Sequence, residues 1–189
     1  MHYSCLVITR EFPTVEDLNE ILRPFNEDKI YAEPEGTRVY PVFSWDYYVI
    51  GGRYAGKIKL RADVSDEKYK WLYFLDKPRN NRLFHSFLLY KMVSYATKAN
   101  MAFSFCEEDY FTSLGLKDGY IRVDGCKISD MLNFDEISCY YCLDADGNAI
   151  GRSSWDGDQW NDDPDFEAKL SAIKQASKDY YACIVDLHS

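Results

Sequence analysis

The residues with the clearest chemical potential are an arginine that follows two glycines and an Asp/His pair near the end of the chain. Gly51, Gly52 and Arg53 close the run "WDYYVIGGR", and Asp186 and His188 stand two positions apart in "IVDLHS". Glycine-rich turns expose backbone N–H groups, and arginine forms a bidentate fork to phosphate. An aspartate can orient an imidazole for proton transfer. If the two segments meet, they would bind or cleave a nucleotide-like ligand.

The same glycines also permit a purely structural interpretation, a tight hairpin between the runs "SWDYYVI" and "RYAGKIKLR". A Gly-Gly connection is typical of primed turns, which need positive φ. In this hairpin Arg53 would pair with an acid such as Asp46 or Asp186. Trp45, Tyr47, Val49, Tyr54 and Ile58 would form its core face. The candidate ligand-binding residues on the other face and in the turn are Gly51, Gly52, Arg53, Lys57 and Asp46.

Familiar catalytic signatures are missing from the sequence. It contains no nucleophile elbow, no P-loop, no HExxH and no Rossmann fingerprint. The sequence therefore assigns no catalytic residue and indicates no cofactor. If the protein does catalyse a reaction, the candidates are Asp186, His188 and Arg53.

The cysteines indicate structural roles rather than a metal site. Cys139 and Cys142 form one CxxC in "SCYYCLD", and the chain has 6 Cys in all. A zinc site would need a second pair at matching spacing, and the sequence has none. We expect no metal.

Charge is distributed unevenly along the chain. Residues 1–100 carry 15 Lys and Arg against 13 Asp and Glu, and residues 101–189 carry 7 against 18. An acidic half disfavours direct nucleic-acid binding, because phosphate contacts require basic side chains. It suits a basic protein partner, although a merely solvated acidic surface explains it equally well.

The segment "WDGDQWNDDPDF" concentrates this acidity around two tryptophans. Tryptophans beside acids resemble an interface anchor with a charged rim. The candidate partner-binding residues are Trp155, Asp156, Asp158, Trp160, Asp162, Asp163 and Asp165.

The order of strand-like and helix-like segments predicts an α+β fold, an antiparallel sheet built from hairpins with helices packed mainly on one face. Residues 2–9 and the run "YYACIVDLHS" favour strands, and 81–100 favours the longest helix. We expect a single domain over 1–189, with an elaborated acidic C-terminal half over 101–189. No signal peptide or membrane-spanning run is visible, which predicts a cytoplasmic protein without membrane contact.

The chain resembles a family of small proteins encoded by phages and prophages. The resemblance rests on "WDYYVIGGRYAG" (45–56), which is similar to a W-D-aromatic-aromatic-x-I-G-G-R-W-x-G hairpin, and on the terminal "VDLH" (185–188). Tyr54 stands where the family usually has Trp, which preserves an aromatic ring. The resemblance implies a mobile-element context, and hence the cytoplasm of an infected bacterium, but no particular activity.

Charge and context together predict a protein-binding inhibitor of a host defence system, of the anti-CRISPR type. Its acidic half would dock on a nucleic-acid-binding defence protein of the host. The alternative is a protein that sequesters or cleaves a nucleotide signal at the Arg53, Asp186 and His188 cluster. A structural accessory is a third option, although the chain lacks a coiled-coil or repeat pattern.

Overall fold

A computed structural model describes residues 1–11, 13, 15–61, 72–75, 103–106 and 122–189. The helices are α1 (Val15–Leu22), α2 (Glu27–Ala32) and α3 (Phe166–Ala176). The strands are β1 (His2–Thr9), β2 (Tyr47–Ile50), β3 (Ile58–Lys59), β4 (Leu72–Leu75), β5 (Phe103–Cys106), β6 (Arg122–Val123), β7 (Gly125–Lys127), β8 (Tyr141–Leu143), β9 (Ala149–Gly151), β10 (Ser153–Trp155), β11 (Trp160–Asp162) and β12 (Tyr181–His188).

The described strands form one large sheet and two small ones. The large sheet has eight strands in the order β4-β5-β7-β12-β1-β8-β9, with β2 paired to β12. Its centre is the antiparallel pair of β1 and β12, which runs from His2 opposite His188 to Thr9 opposite Tyr181. On its other edge β12 pairs first with β7 and then with β2. The strand that carries Asp186 and His188 is thus the most connected strand of the sheet.

The prediction of an α+β fold is confirmed, but the sheet is not purely antiparallel. β1 pairs with β8 in parallel, and β4 pairs with β5 in parallel. Most of the pairings join segments far apart in sequence, whereas hairpins account only for β8 with β9 and β10 with β11. Periodicity within one segment does not specify its partner, so this pairing pattern was not accessible from the sequence. Packing of the helices on one face stays a prediction.

Several predicted elements are confirmed. The first and last strands are found as β1 and β12, and α1 ends where a 3-10 turn over Arg23–Phe25 carries Pro24. The helix expected over 81–100 lies outside the described residues. No helix among those described is long and apolar enough to cross a membrane.

The core lies on both sides of the central strand pair. Leu6, Val7, Ile184 and Val185 are fully buried there, and they are surrounded by buried side chains from α1, α3 and the 3-10 turns. Burial of one such aliphatic side chain contributes about 1.5–3 kcal/mol. This packing fixes the position of β12, and with it the polar groups at its C-terminal end.

The prediction of a hairpin at Gly51 and Gly52 is wrong, because β2 and β3 do not pair with each other. β2 pairs with β12, and the segment after the glycines makes a 3-10 turn over Gly52–Tyr54 before β3 pairs with β6. Gly51 has φ 69° and ψ −70°, which lies outside the primed turns of hairpins. Positive φ at both glycines was correctly indicated, but it does not determine the direction in which the chain leaves the turn.

The assignment of faces was wrong for the same reason. Tyr47 and Val49, expected in the core, lie exposed on β2, while Ile50 is buried in their place. Ile58 is buried, and Trp45 and Tyr54 pack against the core as expected.

Candidate functional site

Two buried aspartates hold the Gly51–Arg53 turn. Asp186 Oδ2 accepts a hydrogen bond from the Arg53 N–H at 2.9 Å, and Asp124 Oδ1 accepts one from the Gly56 N–H at 2.7 Å. A Cβ on Gly51 would lie 2.6 Å from Asp124 Cγ, and one on Gly52 would lie 2.5 Å from Asp186 Cβ. The glycines are therefore required both by positive φ and by the close approach of these two carboxylates.

Asp186 also holds a histidine that the sequence analysis missed. His2 Nδ1 lies 3.0 Å from Asp186 Oδ1, although 184 positions separate the two residues. The aspartate side chain is only 3% exposed. Its two oxygens thus join the imidazole of His2 to the backbone of Arg53. The sequence carries no signal for this contact, which arises from the pairing of β1 with β12.

A second histidine–aspartate pair lies beside the first. His188 Nδ1 is 2.8 Å from Asp46 Oδ1, and the Asp46 side chain is 48% exposed. The rings of His188 and His2 are in edge contact, with their centroids 4.8 Å apart. We call His2, Asp186, His188 and Asp46 together the His–Asp cluster. The predicted pairing of Asp186 with His188 is thereby replaced by two crossed pairs.

The carboxylates fix the tautomer of both imidazoles. An ionised carboxylate can only accept hydrogen bonds, so each Nδ1 must carry its proton. Nε2 of a neutral ring is then the free base. Within the described part of the chain, no protein group hydrogen-bonds Nε2 of His2 or His188, and neither atom is a buried unsatisfied group. Both rings can therefore exchange protons with a ligand or with water.

Hydrogen bonding lowers the pKa of Asp46. Partial desolvation acts to raise this pKa, but hydrogen bonds from His188 and from the Tyr47 N–H outweigh it, and the net shift is downward. Asp46 is therefore ionised throughout the neutral range. An ionised Asp46 keeps the proton of His188 on Nδ1.

Arg53 contributes a free positive charge to the margin of this cluster. Its side chain is exposed, and no ion pair joins it to Asp46 or Asp186, so the predicted salt bridge does not form among the described residues. Burial and Asp186 raise the pKa of Tyr54, while the charge of Arg53 lowers it. Tyr54 Oη donates to the His2 carbonyl at 2.9 Å, so the residue after Arg53 is anchored to the start of β1.

An aromatic ring borders the opposite end of the cluster. Tyr47 stacks on His188 with ring centroids 4.5 Å apart and an interplanar angle of 15°. It is 42% exposed. Asp46 and Tyr47 come from the start of β2 and Arg53 from the turn after it, so the site is ordered along one strand.

Lys57 does not join the site. Its Nζ donates to the Ser138 carbonyl at 3.1 Å and lies 4.6 Å from the centroid of the Tyr54 ring. Burial lowers the pKa of Lys57. The prediction that Lys57 shares a face with Asp46 fails because the hairpin on which it depended does not form.

The acidic segment forms a separate hairpin, β10 and β11, in which the predicted partner-binding residues divide into two groups. Asp156 closes the turn, because it accepts hydrogen bonds from the Asp158 and Gln159 N–H groups, each at 2.9 Å. Asp163 binds Lys169 at 2.6 Å and caps the approach to α3. These two carboxylates serve the fold.

The remaining candidates face outward. Trp155 and Trp160 form a tilted pair with centroids 5.8 Å apart, and Trp160 is 54% exposed. Asp158, Asp162 and Asp165 are exposed, and their carboxylates make no ion pair with any residue that the structure describes. We call Trp160 and these three aspartates the outer hairpin surface.

The cysteines and the cavities lie apart from both regions. Cys5, Cys126, Cys139, Cys142 and Cys183 are buried free thiols, and no group of three ligating side chains is arranged for a metal in the described ranges. Cavities of about 440 and 310 Å³ lie along α3 and beside α1. Within the His–Asp cluster, His188 and Asp46 are partly exposed, whereas Asp186 is buried.

Comparison of the chain with models of protein families, with curated proteins and with solved structures found no match. The resemblance to phage and prophage proteins remains a prediction from the motifs.

Proposed function

We propose that the protein binds a phosphate-bearing, nucleotide-like ligand at the His–Asp cluster. One observation carries this proposal: Asp186 joins the turn of Arg53 to His2, and His2 contacts the second pair formed by His188 and Asp46. A guanidinium donates hydrogen bonds to phosphate, and an imidazole does so through Nε2 when that nitrogen carries a proton. A residue that only holds the turn needs its backbone N–H, which binds Asp186, and has no need of an exposed guanidinium.

The position of Tyr47 favours a nucleotide over bare phosphate. In the strand register, Tyr47 lies opposite His188, and Val49 lies opposite Asp186. Two such positions are about 7 Å apart along a strand, a separation on the scale of one nucleotide. A base can stack on the outer face of Tyr47 while its phosphate reaches Arg53.

Thermal unfolding with ligands tests the proposal. Inorganic phosphate, mononucleotides and cyclic dinucleotides are each added to saturation, where 100 times the Kd stabilises by about 2.7 kcal/mol. The rise in unfolding temperature that the ligand causes should be smaller in Arg53→Ala and Tyr47→Ala. It should persist in Arg23→Ala, which removes an exposed arginine after α1. If no ligand raises the unfolding temperature of the wild type, or if a ligand raises that of Arg53→Ala equally, the proposal is wrong.

A second function is favoured by the outer hairpin surface. An exposed tryptophan amid unpaired aspartates suits an anchor for a basic protein surface. In this proposal the chain is a phage- or prophage-encoded inhibitor of a host defence protein that binds nucleic acid, and it acts in the cytoplasm of the infected cell. It neither binds nucleic acid directly nor contacts a membrane.

A charge-reversal experiment tests this second function. The triple variant Asp158→Lys, Asp162→Lys and Asp165→Lys is used as bait in host lysate beside the wild type. A matched control reverses Asp28, Glu33 and Glu35, which are equally exposed around α2. One host protein retained by wild type and control but lost by the hairpin variant supports the inhibitor. Equal recovery by all three baits contradicts it.

A further inference from the structure

We infer that the His–Asp cluster cleaves short ribonucleotide phosphodiesters by transfer to the neighbouring 2′-hydroxyl. This inference rests on the proposed function and adds a reaction, a substrate class and a role for His2. It starts from the presence of two imidazoles in contact, each with its own carboxylate. A single pair would supply one proton acceptor, whereas cleavage of a phosphodiester needs both a proton acceptor and a proton donor.

The bond changes require no other reagent. The Nε2 atom of one neutral imidazole takes the proton of the 2′-hydroxyl, and the 2′-oxygen forms a bond to phosphorus. The bond from phosphorus to the 5′-oxygen breaks, and that oxygen receives the Nε2 proton of the other imidazole in its protonated form. The products are a 2′,3′-cyclic phosphate and a free 5′-hydroxyl. Proton exchange with water restores the two rings, and no atom is oxidised or reduced.

The surrounding residues supply the remaining requirements. The charge of Arg53 stabilises the extra negative charge that develops on the phosphoryl oxygens. Asp186 and Asp46 hold the rings by Nδ1, so that both Nε2 atoms stay available. The two rings are in edge contact, with centroids 4.8 Å apart, so both can reach the same phosphate group.

The net charge of the chain and the single exposed ring beside the cluster limit the substrate to short molecules. The net charge of −9 opposes the approach of a long polyanion. Among the described residues, one exposed ring, Tyr47, borders the partly exposed pair of His188 and Asp46. A ribodinucleotide, or a small cyclic oligonucleotide with a free 2′-hydroxyl, satisfies these limits.

The test compares a ribodinucleotide with its 2′-deoxy counterpart in the presence of EDTA. Products are followed by chromatography with mass detection, and binding is followed in parallel by thermal shift. We expect the wild type to form the cyclic phosphate from the ribose compound alone. His188→Asn should lower the rate at least about 100-fold, and added imidazole should restore part of the rate in His188→Ala. His2→Asn should lower it similarly.

Each alternative result is distinct. Binding without turnover overturns the inference and leaves the proposed function standing, whereas absence of both contradicts the proposed function as well. Equal cleavage of the deoxy compound contradicts a role for the 2′-hydroxyl. Undiminished cleavage by identically purified His188→Asn assigns the reaction to a contaminant. This variant decides the matter even if His2→Asn fails to fold, because its partner Asp46 is half exposed.

Discussion

The His–Asp cluster and the β10–β11 hairpin are both built around aspartates, yet their carboxylates differ in what surrounds them. Asp186 is buried at the end of the central strand and accepts hydrogen bonds from two distant segments. Asp156 is exposed and accepts hydrogen bonds only from its own hairpin among the described residues. A buried carboxylate must be satisfied or it costs several kcal/mol, whereas an exposed one exchanges its partners with water. The burial of the carboxylates, rather than their number, therefore distinguishes the cluster, which can orient reacting groups, from the hairpin, which can only attract a basic partner.

The largest effect is expected for Gly52→Ala, which tests how tightly the cluster is built. The new Cβ would meet Asp186 Cβ at 2.5 Å in a backbone with φ 53°. Strain and overpacking contribute up to roughly 3 kcal/mol each, so we expect the free energy of unfolding to fall by about 4 kcal/mol in urea denaturation. Gly147→Ala, which shares positive φ but has open space, should lose only about 1 kcal/mol.

Asp186→Ala should be the next most damaging change. It leaves His2 Nδ1 and the Arg53 N–H, whose hydrogen bonds are part-buried, without their acceptor, which costs about 3 kcal/mol. Asp46→Ala removes the half-exposed counterpart and should cost less than about 1 kcal/mol. Urea denaturation of both variants checks this order. Equal losses would mean that the two pairs do not differ in burial.

A smaller effect is expected on acid stability in the hairpin. Hydrogen bonds from the Gln159 and Asp158 N–H groups lower the pKa of Asp156. A carboxyl with a lowered folded-state pKa stabilises the fold fully above its unfolded pKa of about 4, and this contribution is lost as the pH falls through the folded-state value. Asp156→Asn should therefore flatten the decline of the urea midpoint between pH 5.5 and 3. An equally steep decline in Asp156→Asn would contradict this role of the carboxylate.

The smallest effect on stability is expected at the outer hairpin surface. Trp160→Ala removes a ring that is 54% exposed, so the free energy of unfolding should change by less than about 1 kcal/mol. Capture of a host protein in the lysate experiment should nevertheless be lost. A large loss of stability would instead assign Trp160 to the fold and remove the best anchor of the inhibitor proposal.

Local features of the sequence predicted local structure well. The strands at both ends and the positive φ of Gly51 and Gly52 were accessible from residue types, whereas the contact of their turn with Asp186 was not. Pairing was not accessible, because the Gly-Gly signal describes two residues and not the strand that follows them. The hairpin, the core side of Tyr47 and the position of Lys57 failed together for this single reason.

His2 is a second example of a residue whose role depends on strand pairing and was therefore not predicted. A lone histidine after the first residue carries no functional signal, and its role emerges only from the pairing of β1 with β12. Asp124 was equally silent in the sequence, since "VDG" indicates a turn and not a buried carboxylate beside Gly51. Groups brought together from opposite ends of a chain cannot be found by spacing.

The pairing of β1 with β12 has a consequence for the order of events during synthesis. Asp186 is translated 184 positions after His2, and the pairing of β1 with β12 cannot form before then. Closing so long a loop is slow, and the central strand of the sheet is missing until then. A nascent chain therefore carries neither the cluster nor the surface that positions Arg53. Activity at the His–Asp cluster therefore begins only after translation has passed His188, and a premature stop codon in β12 would leave a chain without that activity.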